Sequence, residues 1–283
     1  MKFIYACDIH GDTNKYEKLF QKAKEENVGY IVLGGDLLPK RGFRVIIQPE
    51  FIKEYLEDYF KRLNESNIKC ILIPGNDDLE KFDIQINELC KKYPNIYNID
   101  NQKLDIEDVS FIGLSKVLDH PFGSKNRVVI EKNLKMQPQL SEDIYIKKDT
   151  AVITIEEWEK YRETDIGKME DILVNLLKVD KDRKTIYVFH NPPYGVGLDV
   201  CANGLQVGSK AITNFLENSN SYMSLHGHIH ESPRISGLWY NELGKTICIQ
   251  PGQTELGERE CYYVIIDTKL NTKTRYEMWL EKY

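Results

Sequence analysis

Five short apolar segments of the chain each run directly into side chains that can bind a metal ion. The segments and the residues that follow them are FIYAC with Asp8 and His10, YIVLG with Asp36, CILIP with Asn76, TIYVF with His190, and YMSL with His226, His228 and His230. An apolar run of about four to eight residues is typical of a buried β-strand. In open α/β folds, binding sites lie at the carboxyl edge of the sheet, so this pattern predicts a metal centre at such an edge.

Up to residue 115 the chain alternates between strand-like and helix-like periodicity. The predicted strands are 2–7, 30–34, 69–73, 96–99, 102–106 and 109–114, and the predicted helices are 13–26, 50–66 and 79–92. Strands that are joined by helices favour a parallel sheet with crossover connections.

The periodicity lapses between residues 117 and 165, where turn-forming and basic residues are frequent. This stretch is either an insertion that caps the site or a solvated surface excursion, and the sequence supports both equally. An amphipathic helix is predicted over 155–179, although Gly167 weakens the expectation that it is unbroken. The remaining predicted elements are a strand at 185–190, a helix at 208–218, a strand at 222–226 and two hairpins that turn near 243–244 and 270–271.

Composition and charge are those of an ordinary globular protein with a substantial core. Of the 283 residues, 41% are apolar and 29% are charged, and the net charge is −6. This acidic balance disfavours a dedicated nucleic-acid binder, whose basic face would show in the total. No segment approaches the roughly 20 consecutive apolar residues of a membrane helix. Asp8 interrupts the first apolar run too early for a signal peptide.

The six cysteines form no CxxC pair and no closely spaced framework, and several lie within apolar runs. We therefore expect buried free thiols in a reducing compartment, and neither a redox pair nor a zinc ribbon. Together with the absence of targeting signals, this favours a cytoplasmic protein.

The spacing of the polar residues suits a pair of metal ions. Side chains two positions apart on an extended segment share one face, so Asp8 with His10, and His228 with His230, each present two groups together. Oxygen donors mixed with imidazoles suit Mn, Fe or Zn better than Mg or Ca. Asp36 could bridge two cations, and two metals about 3.5–4 Å apart can activate a water and hold a phosphate for in-line attack.

Five motifs in this order resemble those of the calcineurin-like metallophosphoesterase superfamily. They are DIHGD at 8–12, GGD at 34–36, GND at 75–77, FHNPP at 189–193 and GHIH at 227–230. Each motif alone is a weak signal, but the five together are specific and span essentially the whole chain. The resemblance implies an α/β fold, namely a four-layer αββα sandwich of two mixed β-sheets flanked by helices. It also implies a single domain over 1–283, and the insertion or cap at 117–165 is inferred from the lapse of periodicity there.

By this resemblance, two divalent metal ions share one carboxylate. One ion would be bound by Asp8, His10, Asp36 and His230, and the other by Asp36, Asn76, His190 and His228. Mn is the favoured metal, with Fe, Zn or Ni as alternatives. The implied reaction is hydrolysis of a small phosphorylated substrate by a hydroxide that bridges the ions, with Asn76 or His228 helping to stabilise charge on the phosphate.

The third motif departs from the commonest family pattern. The family usually has GNH, in which the histidine contacts phosphate and can protonate the leaving group, whereas here Asp77 follows Asn76. Without that acid, esters with basic alkoxide leaving groups should react slowly. Asp77 could serve as the acid, but nearby cations favour its ionised form. We therefore expect a phosphodiesterase.

Three other functions are alternatives. A phosphomonoesterase that acts on nucleotides or phosphoproteins is the closest of them. A non-catalytic protein-binding scaffold on the same fold would be favoured by an empty or singly occupied metal site. A nuclease is disfavoured by the acidic charge. The sequence gives no indication of the oligomeric state.

Five further polar residues have both a structural and a functional interpretation. We favour a core role for His226, a surface loop for His120 and an N-cap of the first helix for Asp12. Lys125 and Arg127 are candidate phosphate contacts, although exposed basic side chains seldom have so specific a role.

Overall fold

The first strand shows how the sequence separates two hydrophobic cores. In the strand Lys2–Ala6, the side chains of Ile4 and Ala6 pack into one core, and those of Phe3 and Tyr5 pack into another. Because strand side chains alternate between faces, a strand that is apolar throughout must be covered on both sides. A computed structural model describes residues 1–132, 144–145, 152–176, 182–254 and 260–279.

The strands are short and are distributed along the whole chain. In chain order they are β1 (Lys2–Ala6), β2 (Tyr30–Gly34), β3 (Lys69–Ile73), β4 (Ile96–Asn98), β5 (Lys103–Ile106), β6 (Val109–Leu114), β7 (Val117–Leu118), β8 (Val128–Val129), β9 (Ile144–Tyr145), β10 (Val152–Ile153), β11 (Lys184–Phe189), β12 (Met223–Leu225), β13 (Tyr240–Leu243), β14 (Thr246–Ile249), β15 (Glu260–Asp267) and β16 (Thr272–Trp279).

The helices alternate with the strands as the sequence predicts for the first half. They are α1 (Thr13–Glu25), α2 (Arg44–Phe51), α3 (Glu57–Glu65), α4 (Asp83–Lys92), α5 (Ile155–Asp165), α6 (Met169–Asn175), α7 (Lys210–Ser219) and α8 (Ser232–Ser236). A π-helical turn, Ile52–Leu56, joins α2 to α3, and a 3₁₀ turn, Glu80–Phe82, precedes α4. Among the residues that the structure describes, no helix is both long and apolar enough to cross a membrane.

Two six-stranded mixed sheets form the centre of the molecule. The first sheet has the order β16-β15-β1-β2-β3-β4, and the second has the order β13-β14-β12-β11-β6-β5. In the first sheet β1 to β4 are parallel, whereas β15 is antiparallel to both of its neighbours. In the second sheet β6, β11, β12 and β14 are parallel, and the edge strands β5 and β13 are antiparallel.

Three hydrophobic clusters define four layers. The middle cluster lies between the sheets and includes Phe3 and Ile71 from the first sheet and Phe111 and Val188 from the second. A second cluster packs the other face of the first sheet against α1, α3 and α4, and a third packs the second sheet against α6 and α7. The predicted αββα sandwich of two mixed sheets flanked by helices is therefore confirmed.

The prediction of one long helix over 155–179 is wrong. Helix α5 ends at Asp165 and α6 begins at Met169, with Ile166 in an extended conformation between them. The backbone of Ile130 takes part in the break, because its N–H donates to Gly167 O at 3.0 Å and its carbonyl accepts from Met169 N at 2.9 Å. These bonds replace those of a continuous helix. Positions 177–179 lie outside the described residues.

Residues 117–129, which we call the strap, cross from the second sheet toward the metal-ligand loops. Their two ends pair as the parallel strands β7 and β8. Val117 and Val128 form a small core with Ile144 and with Trp158 of α5, whose indole is fully buried. The strap therefore has a small hydrophobic core of its own, and its residues Leu118 and Val129 also join the cluster that covers the second sheet.

Candidate metal centre

The polar residues that follow five strands meet at one edge of the two sheets. Because β1, β2 and β3 are parallel neighbours, Asp8, Asp36 and Asn76 leave the same edge of the first sheet. In the second sheet, β11 and β12 are parallel neighbours, and His190 follows the first of them directly. The backbone N–H of His228 donates to Asp8 Oδ1 at 3.0 Å, which joins the two sheets at this edge.

Four residues form a compact group that could hold a metal ion. The ligand atoms of Asp8, His10, Asp36 and His230 all lie within 4.8 Å of one another. The Nε2 atoms of His10 and His230 are 3.0 Å apart, so the two imidazoles converge on one point. The two carboxylates and His10 are almost completely buried. We call this group the first position.

A second group lies on the other side of Asp36. His190 Nε2 is 3.1 Å from Asn76 Oδ1 and 3.4 Å from Asp36 Oδ2. The His228 ring centroid lies 5.3 Å from that of His190, and His228 Nε2 is buried without a hydrogen-bond partner among the described residues. A buried nitrogen without a partner is unfavourable unless a ligand occupies the space beside it, so this set also fits a cation. We call it the second position.

The tautomer of His190 is fixed by the backbone. Its Nδ1 lies 2.8 Å from the carbonyl of Gly34, so Nδ1–H is the donor there and Nε2 faces the pocket. A Cβ atom on Gly35 would collide with this ring, and one on Gly75 would overlap Asp36. The glycines of the GGD and GND motifs therefore let the two loops approach the ligands closely.

The backbone of the ligand residues is in an unusual conformation. Asp8, His10, Asp36 and His228 have φ values of 56°, 49°, 53° and 72°. Non-glycine residues at positive φ are uncommon and cluster at functional sites. We expected Asp8 and His10 to lie together because they share one face of an extended segment. The two side chains do lie together, but that reason is wrong, because β1 ends at Ala6 and both residues have a left-handed backbone.

Hydrogen bonds between loops hold this conformation at the first position. The N–H of Asp8 donates to Gly35 O at 2.9 Å, and the N–H of His10 donates to Asp36 O at 2.8 Å. Asp12 accepts from the backbone N–H groups of Asn14 and Lys15, so its predicted role as the N-cap of α1 is confirmed.

A model of the calcineurin-like phosphoesterase family matches residues 1–232. The chain belongs to this family. It is 24% identical to the uncharacterized protein MJ1162 of Methanocaldococcus jannaschii over 277 residues, which are 96% of this chain and 94% of that protein.

Solved structures show the same fold at low sequence identity. The protein TT1561 of Thermus thermophilus has a TM-score of 0.60 at 18% identity, and the similarity covers 97% of each chain. A dimetal phosphatase from Danio rerio has a TM-score of 0.52 at 10% identity, and the similarity covers 99% of each chain.

The electrostatics of the candidate metal centre favour ionised carboxylates. Burial by itself would raise the pKa of Asp8, but the imidazoles of His230 and His190 outweigh burial and hold that pKa below its usual range. Burial would likewise raise the pKa of Asp36, and His190 and His10 hold it well below the usual range. Both carboxylates are thus in the form that binds cations.

The histidines divide into two electrostatic classes. Burial lowers the pKa of His10 and His228, so both are neutral and able to donate a lone pair. Burial would also lower the pKa of His190, but the charge of Asp36, followed by that of Asp8, raises it to about 9. Without a cation, the proton on His190 balances the carboxylates, and a bound cation would replace it.

Asp77, which stands where the family usually has histidine, is held by an arginine that the sequence did not indicate. Its Oδ1 accepts from Arg44 Nη1 at 2.8 Å, and its backbone N–H donates to Asp36 Oδ1 at 2.7 Å. Its Oδ2 lies 3.8 Å from His10 Nδ1. Arg44 begins α2 and is 33 positions away in sequence, so no local pattern could have identified it.

Asp78, the second acid of GNDD, is structural. It is fully buried and accepts from the backbone N–H groups of Leu37, Leu38 and Gly75 at 2.7–3.0 Å. It therefore ties the loop after β2 to the loop after β3, which are the loops that carry Asp36 and Asn76.

The prediction that His120 lies on a surface loop is wrong. Its side chain is 8% exposed, and its ring stacks on that of His228 with centroids 6.3 Å apart. Phe122 meets the same ring edge-on at 5.3 Å. His226 is fully buried and its Nδ1 contacts the carbonyls of Phe189 and Asn191, so its predicted core role is confirmed.

Lys125 and Arg127 are buried and paired, which does not fit the phosphate contacts proposed from sequence. Lys125 Nζ donates to Asp119 at 2.7 Å, and Arg127 Nη2 donates to Asp83 at 2.5 Å. Basic residues in a turn-rich segment resemble a solvated surface, and only the fold brings the distant Asp83 close to Arg127.

Proposed function

We propose that this protein is a metal-dependent phosphoesterase that uses two divalent ions and prefers phosphodiesters. The observation that carries the proposal is the position of Asp36 between two sets of ligand-type atoms. Its Oδ2 is 3.8 Å from His10 Nε2 and 3.4 Å from His190 Nε2. When bound, two divalent cations supply an activated water and neutralise charge on the phosphate.

The residues of the two positions would hold these ions. The first ion would be bound by Asp8, His10, Asp36 and His230, and the second by Asp36, Asn76, His190 and His228. Asn76 contributes a neutral oxygen, which limits the negative charge of the pocket and leaves the site attractive to an anionic phosphate. His228 and Asn76 would in addition stabilise the charge that develops on the phosphate oxygens.

The diester preference follows from Asp77. Burial, followed by the charge of Asp36, raises the pKa of this carboxyl, whereas Arg44 lowers it. Two divalent cations nearby would add strongly to the effect of Arg44 and favour the carboxylate. A carboxylate tied to a guanidinium cannot protonate a leaving group, so substrates whose leaving groups are stable without a proton are favoured.

The proposal is tested with the Mn²⁺-loaded protein on bis(p-nitrophenyl) phosphate and on p-nitrophenyl phosphate. We expect the diester to have the larger kcat/KM. Monoester turnover far above diester turnover would instead support the phosphomonoesterase. Failure to bind two ions, with no turnover of either ester, would support a non-catalytic scaffold. The same assay with Fe²⁺, Zn²⁺ or Ni²⁺ tests the choice of Mn.

We also propose that the protein is cytoplasmic and that its substrate is small. All six cysteines are free, and four of them are buried, which supports a reducing environment such as the cytoplasm. The rings of His120 and Phe122 pack against His228 at the second position, and this supports a small phosphorylated substrate over a long nucleic acid.

A further inference from the structure

The strap contacts the backbone that carries Asn76. Ser124, which is 1% exposed, donates its hydroxyl to the carbonyl of Asn76 at 2.5 Å. Arg127 donates Nε–H to the carbonyl of Gly75 at 3.0 Å. Two consecutive carbonyls of the GND loop are thus held by buried side chains of the strap, and the side-chain oxygen of Asn76 is aimed at His190 Nε2.

The strap also contacts the other side chains of the second position. His120 and Phe122 lie against the ring of His228. Asn191, which directly follows His190, accepts from the backbone N–H of Leu118 at 3.1 Å. Packing on two sides fixes the orientation of an imidazole, and residues that orient ligands in this way tune metal affinity.

A buried ionic network anchors the strap to α5. Asp119 has no exposed surface on its side chain and accepts from Lys125 Nζ at 2.7 Å, from Arg162 Nη1 at 3.1 Å and from Trp158 Nε1 at 3.3 Å. Lys125 Nζ also donates to the carbonyl of His120 at 2.5 Å. The position of His120 is therefore set by groups that lie outside the pocket.

We propose that the strap is the positioning element of the second metal position, and that Ser124 is a positioning residue that acts through Asn76. This inference rests on the proposed function, since it requires a second ion. Removal of the Ser124 hydroxyl should leave the Asn76 backbone less constrained. The affinity for the second ion should then fall by about 10- to 100-fold, as is typical when a group that orients a ligand is lost.

The test measures Mn²⁺ binding to the full-length, chelator-stripped protein by calorimetry, with electron paramagnetic resonance to detect spin-coupled ion pairs. We expect two binding events in the wild type, and in Ser124→Ala a loss of affinity confined to the second ion together with loss of the coupled signal at low Mn²⁺. Ser124→Thr, which keeps the hydroxyl, should restore both. Ser221→Ala is the matched control, because Ser221 is equally buried and its hydroxyl contacts Thr246. Thr246 is the first residue of β14 and lies at the opposite end of that strand from the metal-ligand edge.

A variant that lacks the second position shows whether Ser124→Ala affects the second ion only or metal binding in general. In His190→Ala only the first ion should bind, and adding Ser124→Ala should leave its affinity unchanged. The inference would be overturned if Ser124→Ala lowered the affinity equally in both backgrounds, or if Ser124→Ala bound two ions as tightly as the wild type. Either result would leave the proposed function intact. A wild type that binds fewer than two ions would overturn the proposed function and this inference with it. Unfolding of each variant in EDTA shows whether it is folded.

Discussion

The two halves of the metal centre are constructed differently. At the first position, Asp8 and His10 are held by their own left-handed backbone and by hydrogen bonds to the adjacent loop after β2. At the second position, Asn76 and His228 are supported by side chains of the strap, which is distant in sequence from both. One half is thus specified by short motifs, and the other depends on a long-range contact.

This difference explains which substitutions each half should tolerate. A ligand that is held by its own backbone conformation and by the loop after β2 should be insensitive to changes in the strap, because the strap takes no part in those hydrogen bonds. A ligand whose side chain is positioned by contacts with a separate segment should shift when that segment moves. Variants that act on both halves, on the strap, or on one ligand therefore discriminate between the two modes of support.

The largest effect is expected from Asp36→Ala, which removes the carboxylate between the two halves. Both ions should be lost and kcat/KM for the diester should fall by more than about 10³-fold, equivalent to about 4 kcal/mol of transition-state stabilisation. Metal content and diester turnover are measured together. Asp58→Ala, an exposed acid on α3, is the control. Retention of one tightly bound ion in Asp36→Ala would show that the halves are independent.

The next largest effect concerns the anchor of the strap. Asp119→Ala leaves Lys125 buried without its partner, and breaking a buried pair costs about 3–5 kcal/mol of folding free energy. Urea unfolding measures the loss. The double variant Asp119→Ala with Lys125→Met should recover much of it, because the fully buried ammonium group is removed and only the partly exposed Arg162 has lost its partner. If folded Asp119→Ala binds both ions normally, the strap does not support the second half.

The ligand-type residues of both halves could be predicted from the sequence. The bounds of β2 and β3 agree with the predicted strands, because apolar runs end there at glycine-containing loops. The seven ligand-type residues were all recognisable from motifs, and the structure places them at one edge of the two sheets. The reason given for Asp8 and His10 was nevertheless wrong, since a left-handed backbone cannot be inferred from alternation along a strand.

The supports of the second half could not be predicted, because their partners are far apart in sequence. His120 lies in HPFGSKNR, whose polar composition is that of a solvated loop. Its burial depends on Lys125 pairing with Asp119, and on the contact of that carboxylate with α5. The break after Asp165 has a similar origin, since the backbone of Ile130 replaces helical hydrogen bonds that a periodic pattern alone would predict.

A smaller effect is expected from restoring the family histidine next to Asn76. Asp77→His should raise turnover of an alkyl phosphate monoester about 100-fold over Asp77→Asn, since an alkoxide leaving group requires a proton and a positioned general acid contributes about 10²–10⁴-fold. The Asn variant is the matched comparison, because it removes the carboxylate without adding an acid. The ratio of kcat/KM for monoester and diester is the measurement. An unchanged ratio in Asp77→His would mean that this position does not control substrate preference.

The smallest expected effect is a difference between the two halves in the pH dependence of metal binding. Without cations, the charges of Asp36 and Asp8 raise the pKa of His190 to about 9, so near neutral pH an ion at the second position must displace a proton. His10 at the first position is already neutral, because burial lowers its pKa. Between pH 6.5 and 7.5, affinity for the second ion should therefore rise by up to about tenfold. Affinity for the ion that His190→Ala retains should rise less steeply. Calorimetry in buffers with different ionisation enthalpies counts the released protons. Equal proton release in the wild type and in His190→Ala at pH 7.5 would contradict the assignment, because the displaced proton would then come from a group common to both proteins.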